Sequence, residues 1–350
     1  MKPDPHPRRD AQHRVGGFAY SNIILLWGLP LICFVLAMLL GRYGAPPVDV
    51  FRLVAGKLTG SHGQWSSTLE TVVFQIRLPR VCAAMLIGAG LSVSGASFQG
   101  IFRNPLVSPF ILGVATGSGF GAALAILLSG NHLIIQASAF LSGMLAVLIS
   151  YSLTRLYKTS SMLVMVLSGV IVGTFFSALI SLIKYVADPY DKLPVIVFWL
   201  MGSLATLSVR DLLVIIIPMI GGIGVIMSLR WKIGVLSMGE EEARSLGLES
   251  KRLRIVLVMA ATLVTASAVA VSGVIGWVGL VIPHLARMIA GPDYRRLIPL
   301  CMSLGACYLL LIDTLSRNIV AGEVPLGILT ATVGAPFFAI ILRKGTLGWS

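Results

Sequence analysis

The chain has 350 residues, 56% of them hydrophobic and only 12% charged, with a formal charge of +13 and a mean hydropathy of +0.91. Soluble domains carry about 25% charged residues, so this composition excludes a soluble enzyme, a secreted disulfide scaffold and a disordered tail protein. The apolar residues form continuous blocks near the ~20 residues that cross a bilayer core and do not alternate as barrel strands do, so the fold class is all-α and the chain a polytopic membrane protein.

The first 21 residues form a basic tail (Lys2, Arg8, Arg9, Arg14). The block that follows, 22–41, is longer than the apolar region of a signal peptide and lacks a small-residue cleavage pattern, so it reads as a retained first span. Further spans are expected at 81–101, 110–129, 133–154, 162–185, 211–229, 255–274, 276–290, 297–316 and 326–343, ten in all, with the boundary between the seventh and eighth the least distinct. Residues 22–345 then form one transmembrane domain, with 230–254 as its largest cytoplasmic loop. With both termini inside, 18 of the 27 Lys and Arg fall on the cytoplasmic side, as the positive-inside rule requires. This sorting, rather than nucleic acid, accounts for the positive charge. The first outer segment departs from the rule, carrying Arg42, Arg52, Lys57, Arg77 and Arg80.

Many of the 37 glycines lie within the spans. Gly113, Gly117 and Gly121 recur every fourth residue, and Gly88, Gly90, Ser92 and Gly95 line the second span, a spacing that lets helix backbones approach closely in lipid. Cys33, Cys82, Cys301 and Cys307 sit in apolar runs without C-x-x-C spacing and read as small core residues. A possible inverted echo relates Ser94-Gly95 and Asn104-Pro105 to Ser272-Gly273 and Pro283-His284.

No catalytic constellation, phosphate-binding loop or paired metal-ligand spacing occurs. A chain of buried carboxylates for ion coupling is also missing, since only Asp313 and Glu323 lie near the ends of the last two spans. That disfavours the main alternative class, an ion-coupled secondary transporter; a non-transporting membrane scaffold is the third possibility. The loop Gly239-Glu240-Glu241-Glu242-Ala243-Arg244-Ser245-Leu246-Gly247-Leu248 reads as a short helix whose acids complement its dipole and whose end is Gly247. It is either a solvated surface helix or a docking element for a cytosolic motor.

Taken together, Arg77-Leu78-Pro79-Arg80, Gly95, Gln99, Asn104-Pro105-Leu106, Pro109 and Leu112-Gly113 resemble the signature of iron–siderophore, haem and vitamin B12 importer permeases. The loop 239–248 is similar to their ATPase-coupling segment. Ser272 to Arg287, Gly291 with Asp293, Glu323 to Gly327 and Gly334 to Phe338 continue the resemblance, which covers residues from about 20 to 345. It implies a ten-helix permease subunit of a type II ATP-binding-cassette importer in a prokaryotic inner membrane. It also implies a homodimer, two cytosolic ATPase subunits that hold ATP and Mg, and a periplasmic or lipid-anchored binding protein. No cofactor or metal is required on the permease itself. The cargo implied is an iron–siderophore or haem complex, with vitamin B12 or an oxyanion such as molybdate as alternatives.

By the same resemblance, Gly239, Glu240, Glu241, Ala243, Arg244, Leu246 and Gly247 are expected to couple to the ATPase, and Arg77, Arg80 and Arg317 to receive the binding protein. Arg317 has the alternative of pairing with Asp313 one turn earlier. Gly88, Gly95, Gln99, Asn104, Pro105, Gly113, Gly117, Gly273, Gly279, Pro283 and His284 are expected to serve helix packing or the translocation path. Asn104 and Pro105 are read as helix-end residues, and His284 as a packing and hydrogen-bonding residue rather than a ligand.

Overall fold

The computed structural model describes residues 24–41, 43–60, 65–156, 162–320 and 322–343, so the basic tail lies outside the described residues. Among these residues there are α-helices and no strand. They are α1 (Leu29–Leu39), α2 (Pro47–Thr59), α3 (Ser67–Phe102), α4 (Val114–Leu128), α5 (His132–Leu156), α6 (Met162–Val186) and α7 (Lys192–Leu200). There follow α8 (Val209–Ser228), α9 (Arg230–Met238), α10 (Glu240–Ser245), α11 (Ser250–Ser272), α12 (Val278–Ala290), α13 (Tyr294–Asn318) and α14 (Leu326–Arg343). Six of them (α3, α5, α6, α8, α11 and α13) are long and apolar enough to cross a membrane, and four shorter apolar helices occupy the other expected spans.

Local chemistry sets the helix ends. Ser66 accepts the Leu69 amide to start α3. At the start of α8, Ser208 and Asp211 form a reciprocal capping box, each side chain accepting the other's backbone N–H, which satisfies two donors that a helix leaves orphaned. α3 begins at Ser67 rather than near 81, passing through π-wound turns over Val72–Arg77. The additional length is possible because Arg77 and Arg80 are satisfied within the protein instead of marking a lipid boundary.

α3 is the axis of the bundle. It is buried along almost all of its length from Pro79 to Phe102, enclosed by α1, α8, α9, α11, α12 and α13. Small residues make that enclosure possible. A Cβ on Gly88 would run into the Gly305 carbonyl of α13, and one on Gly95 into the Gly279 backbone of α12. Between these contacts Ser92 donates from its Oγ to the Cys301 carbonyl at 2.7 Å. Gly117 meets Ser142 and Ala146 in the α4–α5 contact. By contrast α5, α6 and α8 expose apolar faces with Leu141, Leu167, Phe175 and Ile217 outermost. The four cysteines are free, three buried and Cys82 half-buried.

The seventh and eighth spans are separated by a true break. α11 ends at Ser272 and the chain stays non-helical until Val278. Beside the break, backbone groups of three segments pair with one another: Ser203 donates its amide to Ser272 O at 2.8 Å, Leu326 to Gly202 O at 2.8 Å and Gly327 to Met201 O at 3.0 Å. Irregular backbone inside a membrane bundle is tolerated only with such protein partners. The internal echo has no local counterpart, because Gly95 lies inside a helix while Gly273 terminates one at φ 67°.

Replacing Gly95 by Leu should prevent α3 and α12 from meeting and abolish the monodisperse peak in detergent size-exclusion chromatography. Leucine at Gly221, where a Cβ meets nothing within 4 Å, should leave that peak intact.

Candidate functional site

At the end of the bundle expected to face outward, a buried ionic network joins α3, α13 and the loop before α14. Arg80 donates through Nη1 and Nη2 to the two carboxylate oxygens of Glu323, at 2.8 and 2.7 Å. Its Nε donates to Asp313 Oδ1 at 2.9 Å. Arg317 approaches Asp313 Oδ2 through its Nε at 3.2 Å. Arg77 donates to the Met38 and Tyr43 carbonyls at 3.1 and 2.7 Å, tying down the chain after α1. The two-pronged geometry with Glu323 is the form in which guanidinium and carboxylate bind most strongly.

Arg77, Arg80 and Arg317, expected to receive a binding protein, find their partners within the chain. All three are buried, with 3%, 5% and 6% exposure, and their donors face inward. A charge withdrawn from water beside apolar helices must be paired or hydrogen-bonded, and Asp313 at the centre, fully buried, supplies that pairing. The alternative partner for Arg317, Asp313 on the same helix, is the one found. Missing from the sequence reading was the fork from Arg80 to Glu323, 243 positions apart; opposite charges at the ends of two spans were its only signal.

At the opposite end lies a polar group around Gln99, which is fully buried. Arg287 Nη2 on α12 donates to Gln99 Oε1 at 3.3 Å and to the Tyr294 hydroxyl at 3.4 Å. His284, one turn before Arg287, is also buried and sits edge-on to Phe338 of α14, with ring centroids 5.9 Å apart. Neither His284 ring nitrogen has a hydrogen-bond partner among the described residues. Pro283 lies inside α12, and Gly279 packs beneath Pro109 and the Leu91 carbonyl. α3 stops at Phe102 because Arg103 turns left-handed at φ 48°. Asn104 Oδ1 accepts the Leu106 amide at 2.9 Å, so Asn104 and Pro105 build a turn, not the cap of a following helix, and α4 starts only after Gly113.

The loop between α8 and α11 contains two helices where one was expected. α9 buries Ile233 against Gly100 at the end of α3. Gly239 then lets the chain run extended into α10, which opens with Glu240, Glu241 and Glu242 and buries Ala243 completely. Glu240 pairs with Arg244 at 3.2 Å and with Arg254 at the base of α11 at 3.5 Å. Gly247 sits at φ 72°, a conformation strained for any residue with a Cβ and most for a β-branched one. Leu246 and Met238 project as exposed apolar side chains at 57% and 71%. Among the described residues no group of three His, Cys, Asp or Glu could hold a metal ion.

The family model of the FecCD transport family matches residues 29–344 of this chain. The chain belongs to the FecCD transport family. Among its relatives, the molybdate import permease MolB of Haemophilus influenzae is 38% identical over 98% of both chains. The probable iron chelatin transport permease of Helicobacter pylori strain 26695 is 41% identical over 81% of this chain and 86% of its own. The vitamin B12 permease BtuC of Escherichia coli O157:H7 is 37% identical over 90% and 94%. A solved inward-facing structure of an ABC transporter assigned to the metal-chelate type superposes with a TM-score of 0.82 at 39% identity, covering 93% of this chain and 99% of the other. This FecCD chain is therefore a multi-pass permease subunit of an ABC importer, a transport component rather than an enzyme.

Breaking a buried pair by removing one partner costs about 3–5 kcal/mol, so Arg80→Ala should lower the thermal midpoint of the detergent-solubilised permease sharply. Arg80→Ala combined with Asp313→Ala should be less damaging than the two single losses added together, measured by the same melting curves.

Proposed function

We propose that two copies of this permease enclose the path of an ATP-driven importer in a prokaryotic inner membrane, and that the cargo is a metal chelate, an iron–siderophore or haem complex. A periplasmic or lipid-anchored binding protein delivers it at the end bearing the Arg80 network. Two ATPase subunits, carrying ATP and Mg, sit below α9 and α10. The permease itself needs no cofactor.

The observation that carries this reading is the Glu240 clamp. α10 is joined at one end to α9 through Gly239 and is tied by Glu240 to Arg254 in the first turn of α11. Ala243, fully buried, closes its inner face. A short helix joined directly to α9 and salt-bridged to α11 moves as a body with the spans to which it is attached, and rigid-body transmission of this kind is how a motor can re-orient a transport path. The exposed Leu246 and Met238 supply apolar contact area for such a motor. The relatives named for iron chelatin, vitamin B12 and the metal-chelate type support the cargo class.

A second reading, oxyanion import, is favoured by one observation: the Haemophilus molybdate permease aligns over 98% of both chains. Uptake of labelled ferric chelate against labelled molybdate, in cells expressing the permease with its ATPase and binding protein, separates the two.

Gly247→Val and Ala243→Trp should each abolish ATP hydrolysis stimulated by the binding protein in proteoliposomes while membrane expression persists. Normal stimulation and transport in both variants would leave α10 an ordinary solvated helix.

A further inference from the structure

A cavity of about 530 Å³ opens between α9 and the loop that joins α12 to α13, at the end of the bundle opposite the Arg80 network. That volume falls within the range of about 300–1,000 Å³ typical of small-molecule sites. Trp231 and Val235 of α9 line it, together with Pro292 of the loop and Arg295 in the first turn of α13. The buried Arg287 and Tyr294 complete the lining. Arg295 is exposed, and its guanidinium lies over the Trp231 indole, 5.9 Å from the ring centroid. A guanidinium held by its face keeps its N–H edge for a partner, and such an edge grips a phosphate in two-pronged fashion.

The charge around the cavity is lopsided. Arg230 and Lys232 open α9, and Arg295 and Arg296 open α13, in first turns where a helix dipole disfavours positive charge. Among the described residues Arg230, Lys232 and Arg295 form no ion pair. The one carboxylate in the lining, Asp293, serves as the cap of α13, its Oδ1 accepting the Arg295 amide at 2.9 Å. The positive-inside rule accounts for cations at this end, but not for a cavity with one of them stacked on an indole in its wall. What fits is an anion brought from outside the chain.

Position identifies the source of that anion. The cavity lies where spans end: α8 stops at Ser228, α12 stops at Ala290 and α13 begins at Tyr294. Span ends mark the level of the lipid headgroups, and Trp231, 42% exposed, is of the residue type that anchors there. Met288 and Ile289, which follow Arg287 in the last turn of α12, are apolar and exposed, the surface that acyl chains cover. Zwitterionic lipids carry their own ammonium, which would add a cation beside Arg287 and Arg295. A headgroup with net negative charge adds none.

We propose that this cavity holds the headgroup of an anionic phospholipid of the cytoplasmic leaflet, phosphatidylglycerol or a lipid of like charge, with Arg295 gripping its phosphate beside Trp231. Basic pockets between spans on the cytoplasmic side are suited to such headgroups. The site uses neither the Arg80 network nor the Glu240–Arg254 pair, so the proposal depends neither on the cargo nor on the coupling role of α10.

The test uses the full-length permease in nanodiscs of equal parts phosphatidylglycerol and phosphatidylcholine with the same acyl chains, retained lipids being read by native mass spectrometry. Phosphatidylglycerol should be retained about fivefold over the choline lipid, the gain expected of one cation at an anionic headgroup. Arg295→Gln should bring the two lipids close to parity. Arg252→Gln removes an equal charge from an exposed position in the first turn of α11 and should leave the preference unchanged. Parity in the unaltered permease, an undiminished preference in Arg295→Gln, or an equal loss in both variants would each overturn the proposal. So would displacement of the retained lipid by inorganic phosphate, the mark of a soluble-anion site, or its release when the ATPase subunits bind, the mark of a motor contact.

Discussion

A helix surrounded on every side inside a membrane has no water to be driven from, so only closeness can hold it. That constraint shapes the bundle around α3. Between helices in lipid, association comes from van der Waals packing and hydrogen bonds rather than from a hydrophobic difference, and both fall away within an ångström or two of separation. Gly88 against Gly305 and Gly95 against Gly279 bring backbones into contact at two heights. Ser92 and Ser94 add hydrogen bonds to carbonyls of α13 and α11. Helices on the periphery, α5, α6 and α8, are free of this demand and carry large apolar residues outward.

Because α3 is fixed along its length, its two ends can hold charges that would otherwise be prohibitive. Arg80 at one end and Gln99 at the other lie 19 positions apart, close to the full thickness of a bilayer core at ~1.5 Å per residue. Each gathers partners from the C-terminal half of the chain: Asp313 and Glu323 above, Arg287 and Tyr294 below. The same helix thus joins the polar clusters of the two faces, while α10 is tied by a single carboxylate to the neighbouring α11.

The fold was largely legible because hydropathy acts over whole spans, and blocks of twenty apolar residues admit few arrangements. The acid-led helix ending at Gly247 was readable for a local reason: dipole, acids and a left-handed glycine all lie within eight residues. The partners of the arginines were not legible because burial depends on residues far away in sequence; RLPR at the start of a span looks alike whether it faces headgroups or Asp313. Likewise α9 is too short and mixed, and α7 too short, to stand out from a loop, and the packing of His284 against Phe338 leaves no periodic trace. Asp211 reads as a cap, which it is, and nothing in its neighbours signals that Gln136 and His132 close over it.

The interruption at 273–277 alters how force passes through the molecule. A continuous helix is stiff in torsion, so a twist applied at its foot arrives at its top. Here the twist is lost at Gly273, and what continues is carried sideways through amide contacts linking 201–203 to Ser272 and to the start of α14. α12, with Arg287 and His284, is thereby uncoupled in rotation from α11 yet remains seated against α3 and α13. The segments meeting at Gly202 are held to one another by backbone hydrogen bonds rather than by a shared helix.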